Sequence, residues 1–159
     1  KPEYAEAEWK WYLSEDNSIG KLGEIYGTIP QIWYKMADAA GKVNSNYGWQ
    51  WGRNNQIDYI VDLLKNNKDT RQAAISIYDA KEHDCYSKDT PCTYAVQFTI
   101  LHGRLDMCVV MRSNDLWYGF CNDQYCFSKL QEMISLELGI ETGTYYHFAH
   151  NMHLYNDKI

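Results

Sequence analysis

The sequence predicts an α+β domain in which helices pack against a largely antiparallel or mixed sheet. Three observations predict it. Apolar residues recur at helical spacing within the first 65 positions, a block from 73 to 111 is rich in Val, Ile, Phe and Tyr, and a further helical stretch precedes an aromatic strand near the end. The chain has 159 residues, 45% of them hydrophobic and 15% aromatic, enough for one core of ordinary size. No internal repeat or Pro/Ser-rich linker divides it, so residues 1–159 are expected to form a single domain.

Ala5 to Leu13 is compact, aromatic and free of Gly and Pro, which predicts a helix carrying Glu8 among Trp9, Trp11 and Tyr12. Ser14 to Thr28, with three glycines, reads as a loop. Pro30 suits a first helical position, Ile32, Trp33, Met36, Ala37 and Ala40 keep helical spacing, and Gly41 is a plausible stop. Gln56 to Lys65 places Ile57, Ile60, Val61 and Leu64 on one face of a second amphipathic helix. Ala73 to Tyr78, Tyr94 to Leu101 and Leu105 to Met111 read as strands, the last two flanking a His102-Gly103-Arg104 turn in a hairpin. Phe127 to Leu138 is expected to be helical, Gly139 to Thr144 a loop, and Tyr145 to Tyr155 a strand.

A formal charge of −6 and a pI near 5.3 argue against a broad electrostatic footprint for nucleic acid or anionic lipid, so any bound phosphate must be held by a few placed arginines. No stretch approaches the roughly 20 apolar residues that span a bilayer, and the first residues lack a signal-peptide pattern. The expectation is a soluble cytoplasmic protein without direct nucleic-acid or membrane partners. Cys85, Cys92, Cys108, Cys121 and Cys126 form an odd set without metal-like pairing. Reduced thiols and no metal are therefore expected, with one thiol a candidate nucleophile.

Taken singly, the polar motifs leave two readings each. Cys92 stands immediately before the Tyr94–Phe98 strand, where a strand mouth can present a nucleophile to a cleft; a small buried hydrophobe is the alternative. Arg112-Ser113 after the next strand can hold a phosphate, or Arg112 can be a surface ion-pair partner. Asp69-Thr70-Arg71-Gln72 and Gly119 to Gln124 can each be a turn or a cap. His153 and Tyr155 alternate on the last strand and point to one face, where they can be a satisfied, half-buried pair.

Their order and spacing carry more than any one of them. "TPCTYAVQF" from Thr90 to Phe98, "MRSNDLWYGFCNDQY" from Met111 to Tyr125 and "HNMHLYND" from His150 to Asp157 resemble the signature blocks of thymidylate synthases and their hydroxymethylase relatives. "EWKWYL" from Glu8, "IW" at Ile32-Trp33, "NSNYGWQW" from Asn44 and "DTRQ" from Asp69 fall in family order, so the resemblance covers nearly the whole chain.

The resemblance implies a thymidylate synthase-like α+β fold whose sheet forms a homodimer interface. It implies that Cys92 adds to C6 of a pyrimidine nucleoside monophosphate, with 5,10-methylenetetrahydrofolate as co-substrate and Glu8 as the proton-transferring base. Arg112 and Ser113 match phosphate anchors, and Arg71 an arginine delivered into the partner subunit's site. Gln72 stands where relatives often carry a second arginine. His153 and Tyr155 match the pair on the sugar hydroxyl, and Tyr47 and Trp33 match cleft residues around water and folate. Asn122 and Asp115 are implied on the substrate side, and Trp33, Asp115 and Gly119 on the folate side.

Asp123 is implied to choose the base. Synthases acting on deoxyuridylate carry Asn there, whereas a carboxyl group can give a proton to cytosine N3 and accept from N4–H. An ionised Asp123 would meet the O4 oxygen of uracil with like polarity. The chain therefore looks like the deoxycytidylate hydroxymethylase branch. The other readings are a methyl-forming synthase on dUMP or dCMP, a hydroxymethylase preferring CMP, and a non-catalytic nucleotide-binding relative. The family's further N-terminal arginine segment and the C-terminal segment over folate are not visible among these 159 residues, and His150 stands where relatives often have a small residue.

Overall fold

The computed structural model describes residues 1–86 and 88–156, apart from the side chains of His83 and Cys85. Helices α1 (Pro2–Leu13), α2 (Ile19–Tyr26), α3 (Gln31–Met36), α4 (Tyr47–Gly52) and α5 (Gln56–Asn66) come first. Strands β1 (Ala74–Ser76), β2 (Thr93–Leu101), β3 (Arg104–Met111) and β4 (Asn114–Asp115) follow, then helix α6 (Phe120–Leu138) and strands β5 (Glu141–Ala149) and β6 (Met152–His153). The main sheet runs β1-β2-β3-β5, with β1, β2 and β3 antiparallel and β5 parallel to β3. It is a mixed sheet, and β4 and β6 form a separate parallel pair beyond its end.

Period two along the strands divides the sheet into two faces. Val96, Phe98, Leu105, Met107, Val109 and Met111 are buried against the helices, where Trp11, Leu22, Ile60, Leu64, Phe127 and Leu130 complete the core. Each fully buried side chain of this size contributes about 1.5–3 kcal/mol. The other face carries Gln97, Cys108 and Val110, half-buried, beside exposed Tyr146 and Phe148.

The hairpin expected between residues 94 and 111 is present, closed by His102 (φ 52°) and Gly103 (φ 76°). Positive φ at both central residues is the turn whose twist suits paired strands. Arg104 already belongs to β3, paired with Leu101.

Several boundaries differ from the sequence expectation. Ser14 to Thr28 is not all loop: the Ser18 side chain accepts from the Lys21 N–H and starts α2, which buries Ile19 and Leu22 and ends at Gly27 in the left-handed region. The helix after Pro30 stops at Met36 rather than Ala40, because Ala37 is extended. Helix α6 begins seven residues before the expected Phe127, at Phe120, and so carries Asn122 and Asp123 on its first turn. β5 begins at Glu141, inside the expected Gly139–Thr144 loop, and ends at Ala149; only Met152 and His153 resume strand pairing, so Tyr155 lies beyond β6.

Helix α4 sets the floor of the site. Asn46 caps it by accepting from the Trp49 N–H at 2.8 Å, while its own amide donates to the carbonyls of Trp11 and Asp16. Gly48 lets α4 lie against α1, since a Cβ there would sit 1.8 Å from the Tyr12 carbonyl oxygen. Tyr47 is thereby buried between Tyr12 and Phe127.

Candidate active site

Cys92 ends the segment that leads into β2, and that segment is fastened from both sides. The buried Asp89 carboxylate accepts from the Ser45 N–H at 2.7 Å and the Ser45 hydroxyl at 2.5 Å, and the Asn44 amide donates to the Asp89 carbonyl. Arg112 at the end of β3 holds the other side. Its Nε donates to the Pro91 carbonyl at 3.1 Å, its Nη2 donates to the Thr90 carbonyl at 2.8 Å, and the same Nη2 lies 3.6 Å from Cys92 Sγ. The guanidinium therefore fixes the sulfur's position and supplies the nearby positive charge that a thiolate needs.

Burial nevertheless pushes the half-buried Cys92 thiol above its ordinary pKa; Arg112 pulls it down, and the carboxylates of Asp123 and Asp89 push it up again. Neutralising Asp123 removes one of the opposing charges. Burial raises Asp123 itself to about 7, against the lowering effect of a hydrogen bond from Asn114, so its proton is available near neutrality. Asn114 Nδ2 donates to Asp123 Oδ2 at 2.6 Å. Gly119 leaves room for that bond, since a Cβ there would stand 3.1 Å from Asn114 Nδ2 and 3.2 Å from Asp123 Oδ2.

Glu8 is buried on the inward face of α1, and burial together with the charge of Asp123 raises its carboxyl to about 8. Tyr4 donates to Glu8 Oε1 at 3.3 Å, and Trp33 Nε1 donates to the Tyr4 oxygen at 2.7 Å, which directs the Tyr4 proton toward Glu8. Burial first, then the charges of Cys92 and Asp123, raise the Tyr47 hydroxyl well above its ordinary value. Glu8, Tyr47, Cys92, Arg112 and Asp123 thus face one another from α1, α4, the mouth of β2, the end of β3 and the start of α6.

The remaining predicted residues fall into two groups. Ser113 Oγ lies 3.5 Å from His153 Nδ1, and the His153 and Tyr155 rings meet edge to face at 5.1 Å, so Ser113, His153 and Tyr155 gather beside Arg112. Asp115 Oδ1 accepts from the backbone N–H groups of Trp117 and Tyr118, while its buried Oδ2 has no hydrogen-bond partner among the described residues. Asn122 instead turns its amide toward the Tyr118 carbonyl. Arg71 is exposed before β1, at the sheet edge opposite β5, and no hydrogen bond or ion pair joins it to the Cys92 cluster among the described residues.

Three side chains outside the expected set of site residues belong to this site. Asn114 carries the hydrogen bond to Asp123, His147 of β5 lies 3.0 Å from Asn114 Oδ1 through Nε2, and Tyr4 contacts Glu8. The inward period of β5, Tyr145, His147 and Ala149, was the one signal that could have marked His147. Cys126 is buried behind the cluster, and burial raises its thiol strongly, which leaves it an inert hydrophobe. Among the described residues, no group of three or more His, Cys, Asp and Glu side chains is placed to hold a metal ion, and no helix is long and apolar enough to cross a membrane.

A family model described as thymidylate synthase matches residues 3–159. The chain is 30% identical over 162 residues to a thymidylate synthase of Bacillus subtilis subsp. natto, covering 95% of this chain and 56% of the relative. It is 35% identical over 153 residues to the deoxycytidylate 5-hydroxymethyltransferase of Enterobacteria phage T4, covering 90% of this chain and 61% of the relative. Thermostable thymidylate synthase A from Bacillus subtilis matches in structure with a TM-score of 0.79 at 30% identity, over 98% of this chain and 57% of its own. Thymidylate synthase from T4 phage has a TM-score of 0.81 at 23% identity, a likeness of fold. The chain spans between half and two thirds of the length of these proteins.

Proposed function

This chain belongs to the thymidylate synthase family, and from that premise we propose that it converts dCMP to 5-hydroxymethyl-dCMP with 5,10-methylenetetrahydrofolate and water. The observation that carries the reading is Asp123, whose carboxyl is raised by burial to about 7, so that it carries a proton part of the time at neutrality, and whose charge acts on the Cys92 thiol. A proton on one oxygen and a lone pair on the other complement N3 and N4–H of cytosine. The relative from phage T4 bears the corresponding name.

Arg112 keeps one guanidinium nitrogen, Nη1, without a protein partner among the described residues, and with Ser113 it offers donors to the nucleotide phosphate. His153 and Tyr155 stand beside them for the sugar hydroxyl. Asp115 Oδ2, buried without a partner among the described residues, suits a donor on the folate, and Trp33 and Gly119 are the further residues assigned to it. Bound there, the folate supplies carbon at the oxidation level of formaldehyde.

Cys92 adds as thiolate to C6, and the electron pair of the C5–C6 double bond becomes available at C5 to attack the methylene carbon. Water takes the C5 proton and tetrahydrofolate departs, which leaves an exocyclic methylene on the base. Water adds to that methylene while the C6–S bond breaks, which returns Cys92 as thiolate and restores the ring double bond. No electrons leave the nucleotide or the folate. Glu8, at about 8, holds a proton for the departing folate and then accepts one from water, with Tyr4 donating to the carboxylate in the latter state.

The open sheet face, with Tyr146 and Phe148 exposed beside Val110 and Cys108, is apolar enough to pair with a second copy. Arg71 would reach the phosphate site from that copy, which agrees with its exposure and with the absence, among the described residues, of a hydrogen bond or ion pair to the Cys92 cluster of its own chain. A methyl-forming reaction is the second reading, favoured by the Bacillus relatives' names. Incubation with dCMP, CMP or dUMP and methylenetetrahydrofolate, followed by mass analysis, is expected to give the hydroxymethyl product from dCMP. A methyl product, or turnover of dUMP alone, would reject the proposal.

A further inference from the structure

A protonated carboxyl group does not by itself distinguish cytosine from uracil. With its proton on one oxygen it complements N3 and N4–H of cytosine; with the proton on the other it complements O4 and N3–H of uracil. Selectivity at Asp123 therefore requires something that fixes which oxygen carries the proton.

The structure holds such a device in a hydrogen-bond chain that runs in one direction. Asn114 Nδ2 donates to Asp123 Oδ2 at 2.6 Å, so Oδ2 is the carbonyl-like acceptor and the proton belongs on Oδ1. The amide could present either end to Asp123, and His147 decides which. Asn114 Oδ1 has no proton, so the 3.0 Å contact with His147 Nε2 requires Nε2–H as donor. The other ring nitrogen, Nδ1, is then an acceptor, and the Tyr145 hydroxyl lies 2.7 Å from it as donor. Burial holds His147 below its ordinary pKa, which keeps the ring neutral with a single N–H. Phe120 meets the imidazole edge to face at 5.2 Å and restrains its plane.

We propose that His147 is a positioning residue for base selection: through Asn114 it pins the proton of Asp123 to Oδ1, and so prevents the carboxyl from switching to the pattern that accepts uracil. The inference rests on the cytosine reading of Asp123. It adds that the selectivity resides in the Tyr145–His147–Asn114 chain as well as in the carboxyl. Freeing the chain lets the proton move to Oδ2, which strengthens uracil binding while cytosine binding remains.

The test measures dissociation constants for dCMP and dUMP by titration calorimetry on the full-length protein, in the parent and in His147→Phe, which keeps a ring of similar size without the hydrogen bonds. The dUMP:dCMP ratio is expected to fall by about tenfold in the variant, with dUMP itself bound more tightly. A loosened fold would weaken both nucleotides and leave the ratio alone, so the gain for dUMP separates positioning from structural support. His147→Gln, which can donate from Nε2 to Asn114 Oδ1, is expected to recover most of the selectivity. Tyr145→Phe, a smaller change usable if His147→Phe does not fold, should shift the ratio in the same direction by a smaller factor. A parent protein that does not prefer dCMP would overturn the cytosine reading and this inference together. A parent that prefers dCMP, with both ratios unmoved in the variants, would overturn the role of His147 alone.

Discussion

Replacing Glu8 by Gln should stabilise the protein as it removes the proton-transferring group. The folded carboxyl has a pKa of about 8 against an ordinary 4.5, because it is buried and lies near Asp123. Between those values the folded chain holds a proton that the unfolded chain has released, so stability falls as pH rises; the contribution is fully present below 4.5 and lost through 8. The slope is about 1.4 kcal/mol per pH unit, which gives about 2.5 kcal/mol lost between pH 5 and pH 7 from this one group. Gln keeps an oxygen for the Tyr4 hydroxyl at the same place and has no proton to release. Urea unfolding at several pH values is expected to give Glu8→Gln a shallower decline than the parent, with turnover lost. Asp123, also raised, keeps some decline in the variant. Identical pH slopes for parent and variant would refute the assignment of a buried, proton-holding Glu8.

Gly48→Ala should lower stability by about 3 kcal/mol, read from thermal unfolding, because its Cβ would meet the Tyr12 carbonyl oxygen at 1.8 Å and force α4 off α1. An unchanged transition would mean that the two helices do not approach so closely. Arg112→Gln should slow iodoacetamide labelling of Cys92 at neutral pH by about tenfold, since the cation 3.6 Å from Sγ favours the thiolate. Labelling at the parent rate would show that Arg112 does not set that thiol's reactivity.

The parts of the fold that were legible are those where a single period runs uninterrupted. Ile57, Ile60, Val61 and Leu64 announced α5, and the Val/Ile/Phe runs around His102-Gly103 announced the β2–β3 hairpin. Helix α2 was hidden because Gly20, Gly23 and Gly27 suggest a loop, although only Gly27 adopts positive φ. Helix α4 has six residues, too few for a period, and depends on the Asn46 cap and on contact with α1.

At the site, local pattern supplied candidates with two readings each, and family resemblance brought Cys92, Glu8, Asp123, Arg112 and Tyr47 together. Neither could supply the hydrogen-bond chain behind Asp123. That chain depends on α6 beginning at Phe120, which sets Asp123 beside Asn114, and on the parallel pairing of β5 with β3, which brings His147 to the same place from 33 residues along the chain. Long-range pairing of this kind leaves no trace in local periodicity.

The most direct test of the central claim, a Cys92 thiol at C6 of a cytosine whose edge meets Asp123, is the mass of the protein after incubation with 5-fluoro-dCMP and methylenetetrahydrofolate. A ternary adduct on the peptide that contains Cys92, absent with Cys92→Ser and scarce with 5-fluoro-dUMP, is the predicted result. An adduct that forms readily with 5-fluoro-dUMP but not with the cytosine analogue, or one carried by another cysteine, would contradict it.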